Sequence, residues 1–160
     1  MINWIYWLLK KIPSKIPIKR IEEYHTHYLG KCNNERLFWG YSTFAFIKDF
    51  SEMQGQDLRL FRKEYAVVHL FKKDGRYLET KYWIAGLSID LKGDETFIKL
   101  EEMVSELMPI TYGNIKVELF STIIDGITFG LIPDKKYLTV DLEPGNSISF
   151  PAPWNGEYDT

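Results

Sequence analysis

The segment YAVVHLFKKDGRYLETKYWI, residues 65–84, joins two runs of alternating residues at the pair Asp74-Gly75. An Asp-Gly pair between such runs is the strongest short-range sequence signal for an antiparallel β-hairpin. Counting outward from the turn predicts three cross-strand pairs: Phe71 with Leu78, His69 with Thr80, and Val67 with Tyr82. We expect the face that carries these pairs, together with Tyr65 and Ile84, to be buried. The opposite face mixes charged residues with Leu70 and Trp83, which predicts partial cover by the N-terminal segment or by a partner.

A second hairpin is predicted around Asp125-Gly126, where residues 115–124 and 127–132 alternate in the same way. A two-residue turn at this pair sets Phe120 opposite Leu131 and Thr122 opposite Phe129. Three further segments, bounded by turn residues, have the composition of strands: 37–50, 137–142 and 147–150.

One helix is predicted between the hairpins, from Asp94 to Met108, with Asp94 as its N-cap and Pro109 after its end. Its apolar stripe is formed by four residues at helical spacing: Phe97, Leu100, Val104 and Leu107. A shorter helical segment is predicted between Ile18 and Leu29, where several apolar side chains fall near one face of a helix.

Length and composition fit a single folded domain. The chain has 160 residues, of which 45% are hydrophobic and 16% aromatic, and this content excludes an intrinsically disordered protein. The predicted elements indicate an α+β fold over residues 1–160: a twisted antiparallel sheet of hairpins, one helix packed on a face, and a short N-terminal helical segment. Residues 1–34 are expected to pack on the core as an N-terminal segment.

Charge is distributed unevenly along the chain. The net charge is −2, but residues 1–80 carry +5 and residues 81–160 carry −7. A nucleic-acid-binding protein usually has a basic balance, so no direct nucleic-acid partner is predicted. The acidic C-terminal half is suited to attract a basic protein through long-range electrostatics.

The single cysteine and the apolar start of the chain both bear on its location. One cysteine, Cys32, excludes an internal disulfide and fits a reducing compartment. The apolar run from Met1 to Leu9 has no positive charge before it, no small-residue cleavage site after it, and too few residues to span a bilayer. We therefore expect a cytoplasmic protein without stable membrane insertion. The alternative is a peripheral anchor in the membrane interface through these residues: Trp4, Trp7, Leu8 and Leu9.

Few residues suggest catalysis. His25, His27 and Cys32 are the only cluster with metal-ligand residue types, but a fourth ligand is missing and alternate residues of a helix point apart. No metal or other cofactor is therefore predicted. His69 falls in mid-strand on the apolar face, where we expect a hydrogen-bonded structural histidine. The glycines are spaced as in hairpins rather than in a phosphate-binding loop, and the sequence predicts a non-enzymatic protein.

In its small size, α+β organisation, single reduced cysteine and acidic half, the chain resembles the immunity proteins of bacterial contact-dependent growth inhibition and related polymorphic toxin systems. The resemblance covers the general organisation of residues 37–155. It implies a cytoplasmic protein that binds one cognate toxin domain, often a nuclease, and blocks the active site or the substrate path of the toxin. These proteins share no motif from which functional residues can be transferred.

Acidic and aromatic residues of the C-terminal third are the predicted partner-binding residues. The carboxylates would speed association with a basic toxin, and the aromatic side chains would make desolvated contacts. The predicted residues are Asp125, Asp134, Tyr137, Asp141, Glu143, Trp154, Glu157 and Asp159. The alternative from a different class is a small-ligand-binding or enzymatic domain with its pocket between sheet and helix.

Overall fold

The computed structural model describes residues 11–145 and 148–160, and the predicted α+β fold is confirmed. These residues contain eleven β-strands and one α-helix, α1 (Glu95–Ser105). The strands are β1 (Lys15–Ile18), β2 (Tyr28–Lys31), β3 (Leu37–Phe46), β4 (Arg62–Phe71), β5 (Tyr77–Leu87), β6 (Thr111–Tyr112), β7 (Ile115–Glu118), β8 (Ser121–Ile124), β9 (Ile127–Asp134), β10 (Thr139–Glu143) and β11 (Ser149–Pro151). The apolar run at residues 1–9, including the alternative membrane anchor, lies outside the described residues.

The strands are antiparallel and divide into three sheets. The largest has the order β5-β4-β3-β2-β6, the second has the order β11-β10-β9-β8, and β1 pairs with β7. The division follows from β4, which carries buried residues on both of its faces from Tyr65 to Phe71. A strand that is apolar on both faces needs a covering layer on each side.

Two hydrophobic cores therefore lie on opposite faces of the five-stranded sheet. The first lies between this sheet and the other two sheets and includes Tyr65 and Phe129. The second lies beneath α1, where Leu100 and Val104 pack with Leu70 of β4. The helix thus covers the face around Leu70, which the sequence had assigned to the N-terminal segment or to a partner.

The first hairpin has the predicted register except next to its turn. His69 pairs with Thr80 and Val67 with Tyr82 as predicted, but Phe71 lies opposite Tyr77 rather than Leu78. The loop has three residues, because the Lys72 N–H donates to the Arg76 carbonyl at 2.8 Å and Gly75 adopts a φ of 92°. Such a loop adds a bulge residue, which shifts the pairing beside the turn. β5 is the edge strand of this sheet, and its side chains Leu78, Tyr82 and Ile84 are exposed rather than buried as predicted.

The second hairpin has the predicted two-residue turn. Asp125 and Gly126 have φ values of 56° and 76°, and a type I′ turn requires positive φ at both positions. The predicted neighbours are confirmed: Thr122 pairs with Phe129, and the Leu131 N–H donates to the Phe120 carbonyl at 2.9 Å. The predicted strand 115–124 is two strands, because β7 pairs with β1 in a different sheet.

Two helical predictions need correction. The segment from Ile18 to Leu29 is not a helix, since Ile18 ends β1 and residues 28 and 29 belong to β2. In α1 the buried stripe includes Met103, whereas Phe97 exposes 47% of its surface. Phe97 lies in the first turn of α1 and faces a cleft rather than the core. Among the described residues, no helix is both long and apolar enough to cross a membrane.

Candidate functional site

A cleft lies where β3 extends beyond its pairing with β2. The two strands pair only from Leu37 to Gly40 of β3, so in the described part of the chain residues 41–46 have a strand neighbour only on the side of β4. The floor of the cleft is β3 from Gly40 to Ser42. One wall is the segment from Glu23 to Tyr28, and the other wall is α1.

The cleft has the volume of a binding pocket. It encloses about 400 Å³, within the range of roughly 300–1,000 Å³ found for ligand sites. Its lining is mainly aromatic, with further polar groups contributed by Glu23, His25, His27 and Ser42. The lining residues are Glu23, Tyr24, His25, His27, Tyr28, Gly40, Tyr41, Ser42, Phe97 and Leu100.

Thr26 holds the first wall from inside. Its side chain is fully buried, and its Oγ1 donates to the Lys19 carbonyl at 2.9 Å while it accepts the Ile21 N–H at 2.9 Å. The Tyr158 hydroxyl lies 3.3 Å from the same oxygen. The C-terminal tail therefore supports the wall of the cleft from behind.

Two further hydrogen bonds fix the carbonyl groups of this wall. The Trp39 Nε1–H donates to the His25 carbonyl at 3.0 Å, and the Arg20 Nε–H donates to the His27 carbonyl at 2.9 Å. Glu23 has a φ of 66°, and its N–H donates to His27 Nδ1 at 3.3 Å. Because these groups are fixed by hydrogen bonds, the wall is preorganised, which lowers the entropy lost on binding.

The second wall is set by the close approach of α1 to β3. Gly40 permits this approach, because a Cβ atom at this position would lie 3.2 Å from Val104 Cγ2 and 3.3 Å from Leu100 Cδ1. The first turn of α1 is tied to β4 by Thr96, whose hydroxyl donates to Glu64 at 3.2 Å. This contact fixes the part of the helix that carries Phe97.

Exposed aromatic side chains form the rim. Tyr24 exposes 61% of its surface, and the rings of Tyr28 and Phe97 lie 6.4 Å apart at an angle of 47°. The Tyr28 hydroxyl donates to Glu101 at 3.3 Å. Partial burial and the Glu101 carboxylate raise the pKa of Tyr28 to about 12, so the ring remains uncharged at neutral pH. The aromatic surface continues to Tyr112, whose ring lies 6.5 Å from that of Tyr28.

Three of the sequence-predicted carboxylates come together elsewhere, on the outer face of the four-stranded sheet. Asp141 and Glu143 share a face of β10, and Asp134 lies on the same face opposite Thr139. We call Asp134, Asp141 and Glu143 the acidic face. Burial and the neighbouring Asp141 raise the pKa of Glu143, as expected where like charges are held close.

Asp134 and Asp141 of the acidic face are also held by local hydrogen bonds. Asp141 accepts from the hydroxyls of Thr139 and Ser149 at 2.9 and 2.6 Å. Asp134 accepts from the backbone N–H groups of Lys136 and Tyr137 at 2.9 and 3.1 Å, as turn aspartates commonly do. Part of the hydrogen-bonding capacity of these two carboxylates is therefore already used.

The other predicted residues are dispersed. Asp125 lies at the opposite end of β9 from Asp134 and pairs with Lys63 at 2.6 Å. Tyr137 projects from the β9–β10 turn and exposes 67% of its surface. The remaining three belong to the C-terminal tail: Glu157 pairs with Lys19 at 3.5 Å, Asp159 pairs with Ser149 through its backbone, and Trp154 packs against the first core.

The three histidines and the single cysteine lie in different surroundings. His25 and His27 both line the cleft, while the Cys32 thiol is buried and burial raises its pKa. Among residues 11–145 and 148–160, no group of three or more His, Cys, Asp or Glu side chains is placed to hold a metal ion. His69 is buried and hydrogen-bonded, as predicted, with Tyr41 and Thr80 each at 2.7 Å. Burial lowers the pKa of His69 to about 3.

Comparison with known proteins adds no assignment. No family model, no curated protein and no solved structure matches the chain.

Sequence reasoning offered a pocket between sheet and helix as an alternative but did not identify its lining residues, because they are distant along the chain. Residues 23–28, 40–42 and 97–100 meet only in the folded protein. One signal was present in the sequence. Phe97 occupies an apolar helix position, but Gly40 of β3 has no side chain that could help to cover it. The local charge pattern, in contrast, named the three residues of the acidic face, together with five residues that lie elsewhere.

Proposed function

We propose that this chain is an immunity protein that binds and neutralises a cognate bacterial toxin domain in the cytoplasm, by binding rather than by turnover. The observation that carries the proposal is the preorganised aromatic cleft. Tyr24 and Phe97 are exposed on walls fixed by partly buried hydrogen bonds, and rigid exposed aromatic side chains dominate the binding energy of protein interfaces.

The acidic face supports the same function through a different effect. Its charge would speed the encounter with a basic protein rather than strengthen the complex. A nuclease has such a basic surface, because it must hold phosphate groups. A nuclease toxin covered at its active site or substrate path is therefore the partner that best fits both surfaces.

The test is co-production of this chain with the C-terminal toxin domain of a large secreted effector encoded beside its gene. We expect the chain to restore growth of cells that make the toxin domain and to form a stable complex with it on gel filtration. The catalytically inactive toxin domain is the control for growth, and it should form the same complex. Continued growth arrest together with separate elution of the two proteins would contradict the proposal.

A small-ligand-binding domain is the second candidate, because the cleft lies between sheet and helix and has the volume of a ligand site. Its lining combines aromatic rings with a few polar side chains, as ligand sites commonly do. A purified chain that converts a substrate, or that carries a tightly bound metabolite through gel filtration, would favour this candidate over the first.

A further inference from the structure

The geometry points to a specific occupant for the cleft: the arginine side chain of a partner protein. This inference rests on the proposed function, since it names the group through which the toxin would engage the cleft. It assigns the direct contact with the toxin to the aromatic cleft rather than to the acidic face.

The aromatic rim matches the shape of a guanidinium group. Tyr24, Tyr28 and Phe97 border the cavity, and a planar guanidinium stacks on such rings more readily than an ammonium group does. The protein already uses this contact beside the cleft. Arg20 lies 4.3 Å from the ring centre of Tyr112, and Arg62 lies 4.0 Å from that of Phe44.

The charge of the cavity matches a cation. Among the described residues that line it, Glu23 is the one carboxylate and none is a Lys or an Arg. Although His25 is exposed as a residue, burial around its imidazole lowers its pKa, which disfavours a positive charge at this position. Ser42 offers a hydroxyl acceptor on the floor, and the five N–H donors of a guanidinium require such acceptors.

The setting of the cavity favours a side chain from a protein over a free cation. The cavity is open to solvent and its aromatic rim extends beyond it toward Tyr112, so the backbone of a partner can lie on the rim while one side chain enters. Electrostatic attraction from the acidic face would act on the same basic partner.

The test is an NMR titration of the full chain with four probes: the Nα-acetyl amides of arginine, lysine, citrulline and norleucine. Citrulline has the shape of arginine without its charge, and norleucine has only the apolar chain. We expect saturable shifts of the Tyr24, Tyr28 and Phe97 ring signals with the arginine probe, in the millimolar range. We expect the other three probes to bind at least about five-fold more weakly.

Two variants locate the binding. Phe97→Ala removes a stacking ring and Glu23→Gln removes the negative charge, so each should weaken arginine binding by about five-fold. Both positions are exposed, so the replacements leave the cores intact. Phe50→Ala, which removes a ring that is 72% exposed and does not line the cleft, should leave arginine binding unchanged. Equal binding of norleucine, tighter binding of lysine, or the absence of saturable shifts with arginine would overturn the inference.

Failure of the inference and failure of the proposed function give different results. A toxin that the chain neutralises equally well after Phe97→Ala, with no binding of the arginine probe, would remove the arginine pocket and leave the immunity function. Binding of the arginine probe without neutralisation of the toxin would remove the immunity function, and with it the partner named here.

Discussion

The aromatic cleft and the acidic face are built in opposite ways. The acidic face comes from residues close in sequence, on β9, β10 and the turn between them. The cleft comes from three segments separated by up to about seventy residues along the chain, joined by Thr26, Gly40 and the packing of α1. The difference teaches that charge patterns indicate attraction, whereas affinity depends on a shape that only the folded chain provides.

The largest effect is expected at the cleft. The double substitution Tyr24→Ala and Phe97→Ala should weaken binding of the toxin by about 100-fold, or about 3 kcal/mol, since hot-spot side chains each contribute about 2 kcal/mol and neighbours are not additive. Isothermal titration calorimetry measures this loss. Tyr137→Ala is the control beside the acidic face and should change the affinity by less than about three-fold. A larger loss of affinity from Tyr137→Ala than from the double substitution would mean that the acidic face, and not the cleft, supplies the affinity.

A second prediction concerns the wall of the cleft. Thr26→Val should lower the free energy of unfolding by about 2 kcal/mol, because it removes the buried hydroxyl and leaves the Ile21 N–H without its acceptor. Urea denaturation followed by Trp fluorescence measures the change. Tyr158→Phe, which loses only the 3.3 Å contact, should cost less than about 1 kcal/mol. Equal losses from the two variants would mean that Thr26 is not the centre of the network.

At the acidic face we expect a kinetic effect. Asp134→Asn combined with Asp141→Asn should slow association with the toxin by about five-fold at low salt and leave dissociation nearly unchanged. Asparagine keeps an acceptor oxygen for the turn and hydroxyl contacts at these positions. Stopped-flow measurements over a range of salt concentrations test this, and the variant should also show a flatter salt dependence. An unchanged association rate would remove the steering role of the face.

The smallest effect is a pKa change within the acidic face. The pKa of Glu143 lies above its ordinary value of 4.5, because of burial and then Asp141, so the folded state favours the protonated form. The resulting stabilisation is therefore present at low pH and is lost as pH rises through the folded-state pKa. Asp141→Asn should lower the pKa of Glu143 toward 4.5 in a carboxyl-detected NMR titration. Asp125→Asn, at the other end of β9, should leave it unchanged.

Local patterns predicted much of the fold. The Asp125-Gly126 turn and its neighbours are confirmed because a type I′ turn determines its own register. The Asp74-Gly75 pair also marks a hairpin, but its loop has three residues, and no residue type distinguishes the two loop lengths here. The helix predicted from Ile18 to Leu29 is wrong, because its two ends pair as strands: Ile18 lies in β1 opposite β7, and residues 28 and 29 lie in β2 opposite β3.

The candidate site was less predictable than the fold. Asp141 and Glu143 could be placed on one face from the two-residue period of a strand. The role of Thr26 could not be predicted, because its bonds to Lys19 and Ile21 depend on an irregular loop and its contact with Tyr158 on the C-terminal tail. Phe97 was assigned to the core because helical spacing identifies the apolar stripe of the helix. It does not show where the sheet that covers this stripe ends.

The central claim is that the toxin binds this chain through the aromatic cleft. Hydroxyl-radical footprinting of the complex tests it most directly, since the method reports the solvent access of individual aromatic side chains. Tyr24 and Phe97, both exposed in the free chain, should become protected from oxidation when the toxin binds, while Phe50 and Tyr137 stay reactive. Protection of Tyr137 with Tyr24 and Phe97 still fully reactive would contradict the account.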